Sequence, residues 1–151
     1  MTAPMRGAEH ALAHSLQRHV ARDGGFTLHR GTHRPMGEGV SVAADPRATL
    51  RVAWHHWDHD LVASWVHRHH RRCDRDDLHL GGWLDPIRNE VWLDLVHVYP
   101  PSACREALLT GLRHQQHAVF DIGARSVVVL AGLTATGIDA LLAGGFLGAT
   151  T

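Results

Sequence analysis

No lysine occurs among the 151 residues, so all 15 basic side chains are arginine. The phosphate-gripping lysine of a P-loop is therefore missing, and the paired glycines Gly81-Gly82 and Gly144-Gly145 stand in no G-x-G-x-x-G context, so no nucleotide site is indicated. Cysteine is limited to Cys73 and Cys104, isolated in sequence and without a C-x-x-C spacing, which excludes the disulfide framework of small secreted domains. No apolar run approaches the roughly 18 to 20 residues needed to cross a bilayer, and the first 16 residues lack the h-region of a signal peptide. A cytoplasmic protein with no membrane partner is the expectation. Net charge is zero with neutral histidines, which removes the general electrostatic argument for nucleic acid. Serines 41, 64, 102 and 126 lie in no G-x-S-x-G elbow, and neither cysteine falls in a nucleophile motif.

What is abundant is histidine, as numerous as arginine at 15 residues. GC-rich codons account for the preference for arginine over lysine and for much of the histidine. The sharper alternative is metal binding or pH sensing by imidazoles whose unperturbed pKa is about 6.5. Charge is uneven along the chain: residues 1–75 hold 11 Arg against 7 acids (+4), residues 76–151 hold 4 against 8 (−4), and 11 of the 15 histidines lie in the first half.

Length and a 44% hydrophobic content fit one folded domain spanning 1–151, with its core over about 8–130 and a short helix and frayed tail over 131–151. Ala8, Leu12, Leu16 and Val20 recur at helical spacing over Ala8–Arg22. Short strands are predicted at Phe26–His29, Gly39–Ala43 and Ala48–Trp54. Asp58–Arg72 carries an apolar band of Leu61, Val62, Trp65, Val66, His69 and Cys73, with acids at its start and arginines at its end as the helix dipole favours. The charged run Asp74–Asp77 then leads out. Leu78–Leu84 and Glu90–Tyr99 read as a hairpin closed by Asp85-Pro86-Ile87-Arg88-Asn89, where Pro86 presets the turn and Asn89 tolerates a left-handed conformation. After Pro100-Pro101, Ser102 is a candidate cap for a helix to about His114. Strands at Ala118–Ile122 and Ser126–Leu130 and a short helix at Gly137–Ala143 complete an α+β fold: a mainly antiparallel sheet around a central hairpin, packed by two to three helices. The hairpin's second strand is largely apolar on both faces. It is expected in the middle of the sheet between the Trp65 helix and a terminal helix, with Trp92 in the core and Asp94 paired.

Three constellations could carry chemistry. His55-His56-Trp57-Asp58-His59-Asp60 partly matches the H-x-H-x-D-H motif of metallo-β-lactamase-like hydrolases, but its first ligand position is Trp54, and the His-Asp doublet of the all-helical HD phosphohydrolases lacks its further ligands. A simpler zinc set takes His55 and His59 on one helical face, or His67, His70 and Cys73 at successive three-residue steps; either supplies two or three of the four ligands that a closed site wants. The most basic stretch presents Arg68, Arg71, Arg72 and Arg75, suited to bidentate contacts with phosphate or an acidic protein, though Asp74, Asp76 and Asp77 adjoin it and no aromatic platform for bases is interleaved. Trp54, Trp57, Trp65, Trp83 and Trp92 could line a pocket, and their periodicity favours core packing.

The order Asp23-Gly24-Gly25-Phe26-Thr27, Gly39-Val40-Ser41-Val42, Gly81-Gly82-Trp83-x-Asp85-Pro86, Val91-Trp92-Leu93-Asp94 and Gln115-Gln116-His117-Ala118-Val119-Phe120-Asp121 resembles a group of short uncharacterised proteins of actinobacteria and their phages. The resemblance spans Asp23 to Asp121 and implies a compact α+β fold and an accessory gene of a mobile element. It brings no catalytic residues with it. The histidine-rich helix and the segment beyond Leu130 depart from the group's pattern. The functional expectation is a non-enzymatic protein-binding module with no catalytic residues and no cofactor, engaging an unidentified protein through Arg68, Arg71, Arg72 and Arg75. The alternatives are a zinc hydrolase using His55, His59, His67, His70 and Cys73, or an arginine-mediated nucleic-acid binder.

Overall fold

A computed structural model describes residues 3–144. The elements in chain order are α1 (Ala3–Asp23), β1 (Gly25–Leu28), β2 (Val40–Ala43), β3 (Leu50–Ala53), α2 (His59–Asp76), β4 (His79–Asp85), β5 (Glu90–Tyr99), α3 (Cys104–Arg113), β6 (Ala118–Asp121), β7 (Ser126–Val129) and α4 (Ala135–Ala143). The fold is α+β, and its strand registers are antiparallel. No helix among the described residues is long and apolar enough to cross a membrane. The chain forms two compact units, one of Met1–Pro35 with Asp45–Leu95, the other of Met36–Ala44 with Val96–Thr151. The expected frayed end, residues 148–151, lies outside the described residues.

In the first unit β1 pairs with β4, β4 neighbours β5 in the hairpin, and β3 pairs with β5 so that Leu50, Arg51 and Val52 face Leu93, Trp92 and Val91. The hairpin turn forms as its residues predict. Asp85 accepts hydrogen bonds from the Ile87 and Arg88 amides at 2.9 and 3.2 Å, and Asn89 takes φ 54°. Strand alternation puts Val91, Leu93 and Leu95 on one face, all fully buried. Gly82 lies on that same face because the Phe26 ring and Leu93 occupy the space its side chain would fill: a Cβ there would sit 2.5 Å from the ring.

The helix laid on β1 and β4 is α1, whose Leu12, Ala13, Leu16 and Val20 are buried; Ala8 is exposed, so the buried stripe starts one turn later than its spacing suggests. The helix bearing Trp65 packs chiefly against α1 instead. Trp65 still reaches the β3 region, where its indole N–H donates to the Ala48 carbonyl at 2.7 Å. Asp58 caps α2 by accepting from the Leu61 amide. The helix runs to Asp76 rather than stopping at Arg72, because the left-handed Asp77 closes it and Arg72 pairs with Asp76 one turn on. Leu61, assigned to its apolar band, is 44% exposed. The strand expected at Ala48–Trp54 is trimmed to four residues by 3-10 turns at Pro46–Ala48 and Trp54–His56.

In the second unit β2 lies between β6 and the last four residues of β5, with Val40 opposite both Tyr99 and Asp121, and β6 pairs with β7. Its core is aliphatic: Val40, Val42, Ala107, Leu108, Val119, Val128, Leu130 and Ile138, with Leu109, Leu112, Leu133 and Leu142 partly buried against it. Gly111 lets α3 close on this core, since a Cβ there would lie 2.6 Å from Leu130 and 3.0 Å from Val119. Ser102 does not cap α3. Pro101 opens a 3-10 turn that contains Ser102, and the helix starts at Cys104 with Ala103 at its N-cap and no side-chain cap.

Candidate functional site: an aromatic and arginine face

The burial of Val91, Leu93 and Leu95 commits Trp92 and Asp94 to the opposite face of β5. With Gly82 turned toward Leu93, Trp83 must turn the other way, and its ring meets that of Trp92 at a centroid distance of 5.6 Å, tilted by 35°. Arg51, opposite Trp92 in register, lays its guanidinium over the Trp92 ring 3.9 Å from the centroid. Trp92 Nε1 donates to Glu90 Oε1 at 3.0 Å, which fixes the indole in its plane. Trp92 is half-buried between its neighbours, whereas Trp83 is 41% exposed. The expectation that both belong to the core is corrected here: for these two residues the strand period decides the face, and the face is open. Beyond them the hairpin turn carries Ile87, 93% exposed. Arg51 is exposed and has no carboxylate partner among the described residues, so it presents an unneutralised charge beside apolar surface.

The same sheet face is polar further along β5. Asp94 accepts from the Thr49 hydroxyl at 2.5 Å, and burial pushes its carboxyl above the ordinary value although the Thr49 bond acts the other way. The expectation that Asp94 is paired is met by a neutral donor. Trp57, in the turn leading to α2, is buried with its Nε1 lacking an acceptor among the described residues, and it packs edge-on to Trp54 and His59.

The sequence-assigned arginines divide. Arg72 donates to Asp45 Oδ2 at 2.8 Å and lies 3.5 Å from Asp76, and Arg75 pairs with Asp76 at 2.9 Å. The Arg72 hydrogen bond, helped by the Arg47 amide, lowers the Asp45 carboxyl to about 2. These two arginines tie α2 internally and to the segment before β3. Arg68 and Arg71 are exposed with no ion pair among the described residues, so the expected four-arginine stripe is reduced to two.

The candidate metal ligands are not gathered. His55 sits in the exposed 3-10 turn, His59 faces α1 and bonds Gln17, His67 bonds Glu9, and His70 turns Nδ1 onto the His67 carbonyl at 2.7 Å. Cys73 is buried, its thiol pushed up first by burial and then by Asp74, so it holds its proton where a zinc ligand must lose it. Among the described residues no group of three His, Cys, Asp or Glu could hold a metal ion.

The geometry thus defines an α+β protein with an open aromatic and arginine sheet face. Comparison of the chain with protein-family models, with curated proteins and with solved structures finds no match.

Proposed function

We propose that the chain is a non-enzymatic, cytoplasmic protein-binding module that grips its partner through Trp83, Trp92, Arg51 and Ile87. The observation that carries this reading is the exposure of Trp83 beside the Arg51–Trp92 stack. Tryptophan and arginine dominate the energetics of protein interfaces, and here they adjoin on one rigid sheet face. The partner segment is one that offers a large apolar side chain to Trp83 and Ile87 and a carboxylate to Arg51, whose bidentate fork suits it. An origin in a phage or mobile element, as an accessory gene, rests on the sequence resemblance from Asp23 to Asp121.

Panning a random peptide library against the immobilised chain tests this. Acidic peptides with a large apolar residue should be enriched, and Trp83→Ala should weaken them by about 30-fold or more, the scale of an interface hot spot. Arg51→Ala should weaken them at low salt more than at high salt. Enrichment of peptides indifferent to Trp83→Ala, or loss confined to Arg68→Ala with Arg71→Ala, would move the contact to α2 and overturn the assignment.

A further inference from the structure

The contact between α1 and α2 is lined with imidazoles. His14 stacks on His59 with ring centroids 3.8 Å apart and planes inclined by 28°. His59 Nε2 lies 2.8 Å from Gln17 Oε1, so that nitrogen donates its proton to the amide oxygen and Nδ1 is left to take up a second one. Two further pairs flank the stack: His10 Nε2 is 2.5 Å from Asp60 Oδ1, and His67 Nδ1 is 2.7 Å from Glu9 Oε1. The edge of Trp57 faces His59 from the preceding turn.

We propose that this contact is an acid-operated latch: the neutral His14–His59 stack holds α1 against α2, and protonation of both rings drives the helices apart. Two positive charges at stacking distance repel even through water. The groups facing His59 are His10, His14 and Gln17 from α1 and Asp58 and Asp60 from the start of its own helix. Burial, then His14 and His10, hold His59 below the ordinary imidazole value, with the two aspartates opposing. His19 on α1 is lowered by burial and Arg22, and His69 on α2 by burial and then Arg68 and Arg72, so both helices carry rings that resist protonation in place.

The sign follows from linkage. A histidine whose folded pKa lies below its unfolded value contributes stability that is complete above about 6.5 and is lost as pH falls through that value toward the folded one. Asp58 and Asp60, which act to raise His59, offset part of this loss. Asp60 is 88% exposed, so solvent screens its share, whereas the half-buried His59 and the exposed His14 are in ring contact with centroids 3.8 Å apart. Opening frees α1, whose Leu12, Leu16 and Val20 are buried, from its largest helical contact. The latch does not depend on the aromatic face being a binding site.

Amide exchange followed by NMR between about pH 7.5 and 5, corrected for intrinsic rates, tests the latch in the full chain. Protection of α1 should be lost on acidification while α3 keeps its own. Asp60→Asn, at an exposed position, removes a compensating charge and should move the loss to higher pH. His14→Phe keeps a stacked ring without a charge and should move it to lower pH. Coincident midpoints in the three proteins, or full α1 protection down to pH 5, would overturn the proposal.

Discussion

The two units of the chain are held by different chemistry. The first carries all five tryptophans and 12 of the 15 histidines, while the second has no tryptophan, three histidines and a core of valine, leucine and isoleucine. Charge does not separate them: the first holds 12 Arg against 11 acids (+1) and the second 3 against 4 (−1). The imbalance between the two halves of the sequence vanishes because the units are not the halves. Packing in the second unit has nothing to titrate at its centre. The first has a buried aliphatic core as well, but hydrogen-bonded rings and ion pairs surround it, which makes it the unit that solvent conditions can address.

The contrast is sharpened most by cutting into the aliphatic core. Leu108 is fully buried, and Leu108→Ala should cost about 3 kcal/mol, from lost transfer energy and the residual cavity. Urea unfolding at neutral and mildly acidic pH should give the same loss at both, since no ionisable group lies within that cluster. A pH-dependent loss would break the comparison.

A smaller effect is expected at the ion pair that ties α2 to the segment before β3. Arg72→Ala removes the donor that lowers Asp45 to about 2, at a cost of about 1.5 kcal/mol near neutral pH, the low end for a hydrogen bond to a charged group because the pair is partly exposed. Because the Asp45 pKa is depressed on folding, the stability it contributes is present above the ordinary carboxylate value and is lost as pH falls toward 2. The difference between wild type and variant should therefore shrink on acidification, and urea midpoints from pH 5 down to 2.5 should converge.

The smallest effect belongs to the aromatic face. Trp83→Ala should cost about 0.5 kcal/mol, the low end for an aromatic pair, because its ring meets Trp92 on one side and is exposed on the other. Trp92→Ala, which loses the stack with Arg51 and the bond to Glu90, should cost about 1 kcal/mol. A cost of about 3 to 5 kcal/mol at Trp92, the figure for a fully buried aromatic, would return that residue to the core. Calorimetric melting of the two variants settles the order.

Local signals in the sequence were the readable ones. Asp58 at the head of α2, Asn89 in the hairpin turn and the buried alternation of Val91, Leu93 and Leu95 each act within a few residues, and each is found in place. Long-range choices were not readable. Nothing near Trp83 says which face it takes; that is decided by Gly82 yielding its space to Phe26, from a strand far back in the chain. Ser102 had the right chemistry for a cap, but Pro101 drew it into a tighter turn. The arginine stripe was visible as a helical period, yet the withdrawal of Arg72 depended on Asp45, which no spacing rule connects to it. The signal that could have revealed the aromatic face was the matching of Arg51 with Trp92, once β3 is paired to β5.

Strand β5 belongs to the first unit up to Leu95 and to the second from Val96, and β2 must wait for that second portion before it has a partner. During synthesis the segment Met36–Ala44 leaves the ribosome long before Tyr99, the residue opposite Val40, has been made. The emerging chain thus carries an unpaired strand of four residues, Val-Ser-Val-Ala, inside sequence that is otherwise ready to collapse. Such distant pairings are slow to form, because the loop must close before the strand is rewarded. Pairing of β2 with β5 is timed by the arrival of Val96–Tyr99, and a ribosome pause at any codon between Ala44 and Val96 would prolong the exposure of β2.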